Sequence, residues 1–197
     1  MIKRFFDFSL ALTSLVFLSP IFLILALIIK IETPGPVFFR QARMGKNFVP
    51  FQIFKFRSMV VDNSEKPLQL AITNDSRITT VGKVLRKSKL DEIPQLINIL
   101  KGEMSFVGPR PELEMFTDKY HEEFAEILRV KPGLTDLASV EFKDEESLHS
   151  SSENSIANYI EHIMPKKIEM AKTYSKNPSF LLDLQIIFKT LLKLIFR

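Results

Sequence analysis

RKSKLDEIPQLINILKG, residues Arg86 to Gly102, sets two adjacent carboxylates, Asp91 and Glu92, between a run of cations and an apolar helix. Proline is tolerated in the first turn of a helix, where its missing N–H has no partner to lose, so Pro94 reads as part of a helix start. Ile93, Leu96, Ile97 and Leu100 then recur at helical spacing, and Gly102 is a natural stop. The pattern predicts a helix beginning near Leu90 or Asp91, with both carboxylates at its N-terminus. The helix dipole favours ionised carboxylates there by roughly 0.3–1 kcal/mol. A capping box, Ser88-x-x-Asp91, is the purely structural alternative. It would leave Pro94 beyond the first turn, at the cost of a backbone hydrogen bond. Arg86, Lys87 and Lys89 precede the carboxylates, and ionised carboxylates beside phosphate-binding cations suit phosphoryl transfer.

Upstream, Ile78 to Lys87 reads as the helix that delivers Arg86 and Lys87, and Asp62 to Asp75 as a polar loop. Val37 to Arg40 and Phe51 to Arg57 read as short strands about a turn at Gly45-Lys46-Asn47, with Phe54 and Phe56 alternating against Lys55 and Arg57. Downstream, the prolines of Gly108-Pro109-Arg110-Pro111 stiffen the backbone on either side of Arg110, which suits its guanidinium to bidentate phosphate contact. Leu113, Phe116, Tyr120, Phe124 and Ile127 predict one amphipathic helix over 111–128 with a core-facing stripe. Lys131-Pro132-Gly133 is a turn, 137–142 a short extended piece, 144–154 an acidic, serine-rich loop, and Pro165 opens a helix to about Ser175.

Between Arg4 and Lys30 the only charge is Asp7, and a helix there would be about 37 Å long, enough to cross a bilayer core of about 30 Å. Ser19-Pro20 interrupts it, because Pro20 removes a helical hydrogen bond and crowds the Val16 carbonyl. Lys3 and Arg4 precede the segment and Lys30, Arg40, Arg43 and Lys46 follow it, so the cytoplasmic preference of positive residues applies to both ends. A re-entrant helix satisfies both ends. A simple crossing is the alternative, and a cleaved signal peptide is disfavoured because no small-x-small pattern follows the apolar run. At the other end, Phe180 to Phe196 predicts an amphipathic helix lying in the interface, with Lys189, Lys193 and Arg197 along a face opposite Leu184, Ile187 and Leu191. A core-packing terminal helix is its alternative.

The chain of 197 residues, 46% hydrophobic and 25% charged, is long enough for a real core. It has no cysteine, which excludes disulfides, thiolate metal sites and a cysteine nucleophile. Its three histidines, His121, His149 and His162, are too scattered for a zinc site or a serine triad. A net charge of +4 fits an anionic partner. The basic residues are not interleaved with aromatics as in a nucleic-acid-binding module, so no nucleic-acid partner is expected.

Lys55-Phe56-Arg57-Ser58-Met59, Leu90-Asp91-Glu92-Ile93-Pro94-Gln95, Asn98 to Gly102, Met104-Ser105-Phe106-Val107-Gly108-Pro109-Arg110-Pro111 and Lys131-Pro132-Gly133-Leu134-Thr135 follow the basic, Ser-Pro-interrupted N-terminus. This succession resembles the bacterial sugar transferases called monotopic phosphoglycosyl transferases, over essentially the whole chain and most specifically over 90–111. In length it resembles the small members of the group.

The resemblance implies an α/β fold, mostly helical with short strands. A re-entrant membrane helix over 1–33, broken at Ser19-Pro20, would precede a catalytic domain over 34–197 on the cytoplasmic face of a bacterial inner membrane, with 179–197 as the interfacial helix. It also implies transfer of a sugar 1-phosphate from a UDP-sugar to polyprenyl (undecaprenyl) phosphate, with release of UMP, as the first membrane step of glycoconjugate synthesis. Asp91 would be the nucleophile, and Glu92 would bind magnesium or assist proton transfer. Mg2+ would be held by Asp91 and Glu92. Arg86 and Arg110 would stabilise the transferring phosphoryl group, with Lys55, Arg57 and Gln95 of the matching motifs binding substrate. Many members read Gly-Leu-Ala-Gln-Val after the Pro-Gly turn, where this chain has Asp136-Leu137-Ala138-Ser139-Val140, a difference that bears on the donor rather than the reaction. The rival reading from another class is a non-catalytic, membrane-anchored basic protein that binds anionic lipid or recruits protein partners.

Overall fold

The computed structural model describes residues 1–61, 75–141 and 159–196. The acidic loop at 144–154 and nearly all of the polar loop at 62–75 lie outside the described residues. The fold is mostly helical with short strands, as expected, and it begins with a long apolar helix, α1 (Ile2–Glu32). By length and composition α1 could cross a membrane. Strands β1 (Phe38–Met44) and β2 (Pro50–Phe56) form an antiparallel hairpin in which Phe38 faces Phe56 and Met44 faces Pro50, about a tight turn at Lys46–Phe48. Helix α2 (Thr80–Ser88), a 3-10 turn at Leu90–Glu92, and helix α3 (Gln95–Lys101) follow. Strand β3 (Ser105–Val107) pairs in parallel with β4 (Gly133–Thr135), and the short helices α4 (Glu114–Lys119) and α5 (His121–Ile127) connect them. Helix α6 (Leu137–Glu141), a π-type turn at Tyr159–Ile163, α7 (Met164–Lys176) and α8 (Phe180–Ile195) complete the described chain.

Several sequence expectations are corrected. The helix expected over 111–128 is divided at Tyr120, whose backbone (φ −117°, ψ 43°) is not helical. Its apolar stripe still packs as one core, because Leu113, Phe116, Phe124 and Ile127 are buried with Met164 and Ile168 of α7. The extended piece expected at 137–142 is helix α6, since Asp136 Oδ1 accepts from the Ser139 amide at 2.7 Å and so acts as an N-cap. At Ser19-Pro20 the helical assignment of α1 continues, with the proline inside the helix. Pro20 has no N–H for the Val16 carbonyl, and the Ser19 hydroxyl donates to that oxygen instead, at 2.8 Å.

Both ends of α1 are held by the body of the protein. Near its start, Arg4 donates to the Ile99 and Leu100 carbonyls at the end of α3, at 2.5 and 2.8 Å. Buried Asp7 accepts from the Ser105 hydroxyl at 2.8 Å and the Phe106 amide at 3.2 Å. Lys3 Nζ meets Asp183 Oδ2 of α8 at 2.5 Å and the Tyr174 hydroxyl at 3.0 Å. At the far end, Arg57 donates to the carbonyls of Ile29, Thr33 and Pro34, and Glu32 accepts from the Val81 amide. Between these anchors Phe22 and Leu25 pack on Phe56, whose full burial contributes roughly 1.5–3 kcal/mol. The outward face, including Leu12, Phe17, Ile24 and Leu27, stays exposed.

Helix α8 buries Asp183 and Ile186 and exposes Leu181, Leu184, Phe188 and Leu191. Its exposed face is therefore largely apolar, as the interfacial reading expects and the core-packing alternative does not. Lys193 turns inward, where its ammonium donates to the carbonyls of Ser139 and Val140 at 2.7 and 3.3 Å.

Candidate active site

The turn carrying Asp91 and Glu92 is fixed from both sides. Before it, Lys89 takes a left-handed conformation (φ 59°) that ends α2 and redirects the chain. Ser88 does not form the capping box, because its hydroxyl donates back to the Val84 and Leu85 carbonyls. After it, Pro94 caps α3, which ends at Gly102 in the left-handed region (φ 86°), where glycine bears no Cβ penalty. The carboxylates thus precede α3 on a separate 3-10 turn rather than occupying its first turn. Wholly buried Asn98 pins α3 to β2: its amide donates to the Gln52 carbonyl and to Glu103 at 2.7 Å each, and its Oδ1 accepts from the Phe54 amide at 3.0 Å. That pin sets the distance between Lys55 on β2 and Glu92 before α3. The sequence signal for it is a lone amide inside the run Leu96-Ile97-Asn98-Ile99-Leu100.

Arg110 arrives from the other side. Gly108 and Gly133 lie back to back where β3 meets β4, and a Cβ on Gly133 would come within 2.1 Å of the Gly108 nitrogen. The Gly133 amide donates to the Pro109 carbonyl at 2.9 Å, so this close approach anchors the Pro-Arg-Pro turn. On the next stretch of chain, Glu112 Oε1 accepts from Lys167 at 2.8 Å and from the Tyr159 hydroxyl at 3.2 Å, a buried group that sequence spacing does not reveal.

These elements converge on Glu92. Its Oε1 accepts from Lys55 Nζ at 2.7 Å and from Arg110 Nη2 at 2.9 Å. Desolvation pushes the Glu92 carboxyl up, but the charges of Arg110, Lys55 and Lys89 outweigh it and hold the group far below the usual carboxylate range. Asp91 beside it is buried at 6% exposure. Glu92, Lys89 and Arg110 line a cleft of about 420 Å³, whereas Asp91 is not among its lining residues. Among the other sequence candidates, Gln95 is buried beneath the turn, and Arg57 is directed to the carbonyls at the end of α1, away from Lys55 and Arg110. Arg86 lies in the last turn of α2, three residues before the redirecting Lys89. Ser19 and Pro20 are exposed on α1.

The described residues contain no cluster of three or more acidic or histidine side chains that would hold a metal by itself. Two adjacent carboxylates fit the usual habit of Mg2+, which binds one or two protein carboxylates together with substrate phosphate oxygens.

Residues 1–197 match the bacterial sugar transferase family. This chain is a bacterial sugar transferase family member. It is 40% identical over 193 residues to a UDP-N-acetylgalactosamine-undecaprenyl-phosphate N-acetylgalactosaminephosphotransferase of Aeromonas hydrophila, covering 96% of this chain and 43% of that protein. To the UDP-glucose:undecaprenyl-phosphate glucose-1-phosphate transferase of Escherichia coli (strain K12) it is 37% identical over 196 residues, covering 98% of this chain and 40% of the relative. To the uncharacterized sugar transferase EpsL of Bacillus subtilis (strain 168) it is 36% identical over 194 residues, covering 98% of this chain and 87% of that protein. The family member described here thus spans well under half the length of the first two of these relatives.

Proposed function

We propose that this chain transfers a sugar 1-phosphate from a UDP-sugar to undecaprenyl phosphate at the cytoplasmic face of a bacterial inner membrane. The observation that carries the reading is Glu92, held ionised by Lys55 and Arg110 in the lining of a largely apolar cleft, one residue from a second carboxylate. The names of the relatives supply the substrate classes. They differ in the sugar, so the donor is assigned only as a UDP-sugar.

In this reading an Asp91 oxygen attacks the β-phosphorus of the donor. The bond from that phosphorus to the bridging oxygen breaks, and UMP leaves with the oxygen and its electron pair. An oxygen of the lipid phosphate then attacks the same phosphorus and expels Asp91, so one carboxylate serves donor and acceptor in turn. Arg110 and Lys55, preorganised by Glu92, stabilise charge on the transferring group. A carboxylate held so far below neutrality suits such electrostatic work and not proton transfer. Asp91 and Glu92 would hold Mg2+ together with donor phosphate oxygens, and the ion would neutralise charge developing on the leaving phosphate. That Glu92, not Asp91, lines the cleft favours a second assignment with the two roles exchanged.

The docking of both ends of α1 on one body supports membrane insertion without a full crossing, since a spanning helix would carry its ends to opposite faces. The exposed apolar faces of α1 and α8 support attachment along the interface.

The test is UMP release by purified protein from a panel of UDP-sugars with Mg2+ and undecaprenyl phosphate, beside Asp91→Asn and Glu92→Gln. Release with a particular sugar, abolished in Asp91→Asn while the protein stays folded, is the expected result. Undiminished turnover in Asp91→Asn refutes the nucleophile assignment. Peptide mapping of a trapped phosphosugar adduct decides between Asp91 and Glu92.

A further inference from the structure

A buried charged group sits on the chain just after Arg110, and the transfer reading does not use it. Glu112 and Lys167 of α7 are each 7% exposed, and Tyr159 is buried with them. Lys167 Nζ donates to Glu112 Oε1 and to the Tyr159 hydroxyl at 2.8 Å each, and that hydroxyl donates to the same Glu112 oxygen at 3.2 Å. Arg43 of β1 approaches the other oxygen, with Nη1 4.0 Å from Glu112 Oε2. The same Nη1 donates to the Pro111 carbonyl at 3.3 Å, and the Met44 amide donates to the Glu112 carbonyl at 3.0 Å. Strand β1 and helix α7 therefore hold the two residues that follow Arg110 by backbone and side chain together.

Packing alone does not account for the group, because apolar side chains of similar volume are often as stabilising as a buried ion pair, or more so. Arg43 adds a further charge, and its Nε is buried without a hydrogen-bond partner. Burial pulls the Arg43 guanidinium below its ordinary value; Glu112 opposes that pull and Arg110 adds to it. The two arginines thus feel each other's charge, and each has its own glutamate, Arg43 with Glu112 and Arg110 with Glu92. Arg110, Glu112 and Lys167 also line a cavity of about 20 Å³, which is too small for a substrate. A role for the group in transfer must therefore run through Arg110, which also lines the cleft at Glu92.

We propose that Glu112 and Lys167, together with Arg43, are positioning residues for Arg110. They fix the backbone of the Pro-Arg-Pro turn and keep Arg43 on Glu112, so that the Arg110 guanidinium stays on Glu92 and meets the transferring phosphoryl group. The last of these contacts rests on the transfer reading above; the positioning itself does not.

The test reads the aim of Arg110 without turnover, as its coupling to Glu92 in a double-mutant cycle. Melting temperatures of the full chain, Arg110→Met, Glu92→Gln and their combination are measured in nanodiscs, first in the natural background and then in Glu112→Gln/Lys167→Met. That background removes both charges of the buried pair at once, so neither is stranded, and an amide oxygen remains to accept from Tyr159. The coupling should fall to less than about half its natural value. Arg43→Met is the second background: it leaves the Glu112–Lys167 pair whole, removes the donor to Pro111, and decides the inference if the first background does not fold. The same fall is expected. With a UDP-sugar, Mg2+ and undecaprenyl phosphate, kcat in either background should drop at least about tenfold while the donor KM changes less than about threefold, the split that follows when transition-state stabilisation alone is lost. Coupling at its natural strength in both backgrounds overturns the inference. Weakened coupling in a protein that releases no UMP supports the positioning and refutes the transfer reading, whereas turnover by the natural chain with coupling unmoved in the variants does the reverse.

Discussion

Replacing Lys55 with Met removes one of the two cations that share Glu92 Oε1. The Lys55 contact is 2.7 Å and the Arg110 contact 2.9 Å, and the side chains of Lys55 and Glu92 are only 21% and 13% exposed, so solvent weakens the pair little. A hydrogen bond to a charged group contributes about 1.5–3 kcal/mol. Arg110 remains in place and compensates partly, which puts the expected cost at about 1.5–2 kcal/mol. For a chain of this size a loss of 1 kcal/mol lowers Tm by about 2–4 °C, so Lys55→Met should melt roughly 3–8 °C below wild type. The assay is thermal unfolding followed by far-ultraviolet circular dichroism, for Lys55→Met, Glu92→Gln and the double variant. If the ion pair is what is lost, the double-mutant cycle shows a coupling of at least about 1 kcal/mol; substitutions that add within ~0.5 kcal/mol refute the reasoning. The pH dependence has a definite sign. Glu92 has a depressed folded-state pKa, so its contribution is complete above the ordinary glutamate value of about 4.3 and is lost as pH falls toward the folded value. Lys55→Met raises that folded value. The gap between variant and wild type should therefore hold constant down to the variant's own Glu92 pKa and close below it.

Two further substitutions probe how the turn is held. Asn98→Ala strands the Gln52 carbonyl and the Phe54 amide in the interior and should cost about 3 kcal/mol, measured by chemical denaturation; a cost under ~1 kcal/mol would show that α3 is not pinned to β2 through this side chain. Lys89→Gly relieves a left-handed backbone that costs a non-glycine residue roughly 1–2 kcal/mol, so Tm should hold or rise while transfer activity falls with the lost cation; a large drop in Tm would contradict the strain at this position.

Local chemistry made much of this protein legible. Pro94 and Gly102 bracket α3, and the alternation of Phe54 and Phe56 with Lys55 announces β2, because these signals act within a few residues. Where the reading failed, a neighbour in space had overruled the local pattern. The stripe over 111–128 keeps its helical period, yet the chain yields at Tyr120, where its hydroxyl reaches the distant Ile160 carbonyl. Arg57 carries the same charge as Lys55 two residues earlier, but the docking of α1 claims it for the carbonyls at that helix's end. Lys193 falls on the basic stripe of α8, and the position of α6 draws it inward.

The candidate site divides in the same way. Sequence alone determined that Asp91 and Glu92 lie together at a helix start, with cations adjacent and Arg110 on a stiff loop, because proline, glycine and hydrophobic period act through covalent geometry and nearest neighbours; that they occupy a separate turn ahead of α3 was decided by the structure. Tertiary structure decided which cations meet which carboxylate and which helices wall the cleft. The two ion pairs of Glu92 join residues 18 and 37 positions apart, and their geometry is set by the packing of β2 and α3 and by the close approach of Gly108 to Gly133.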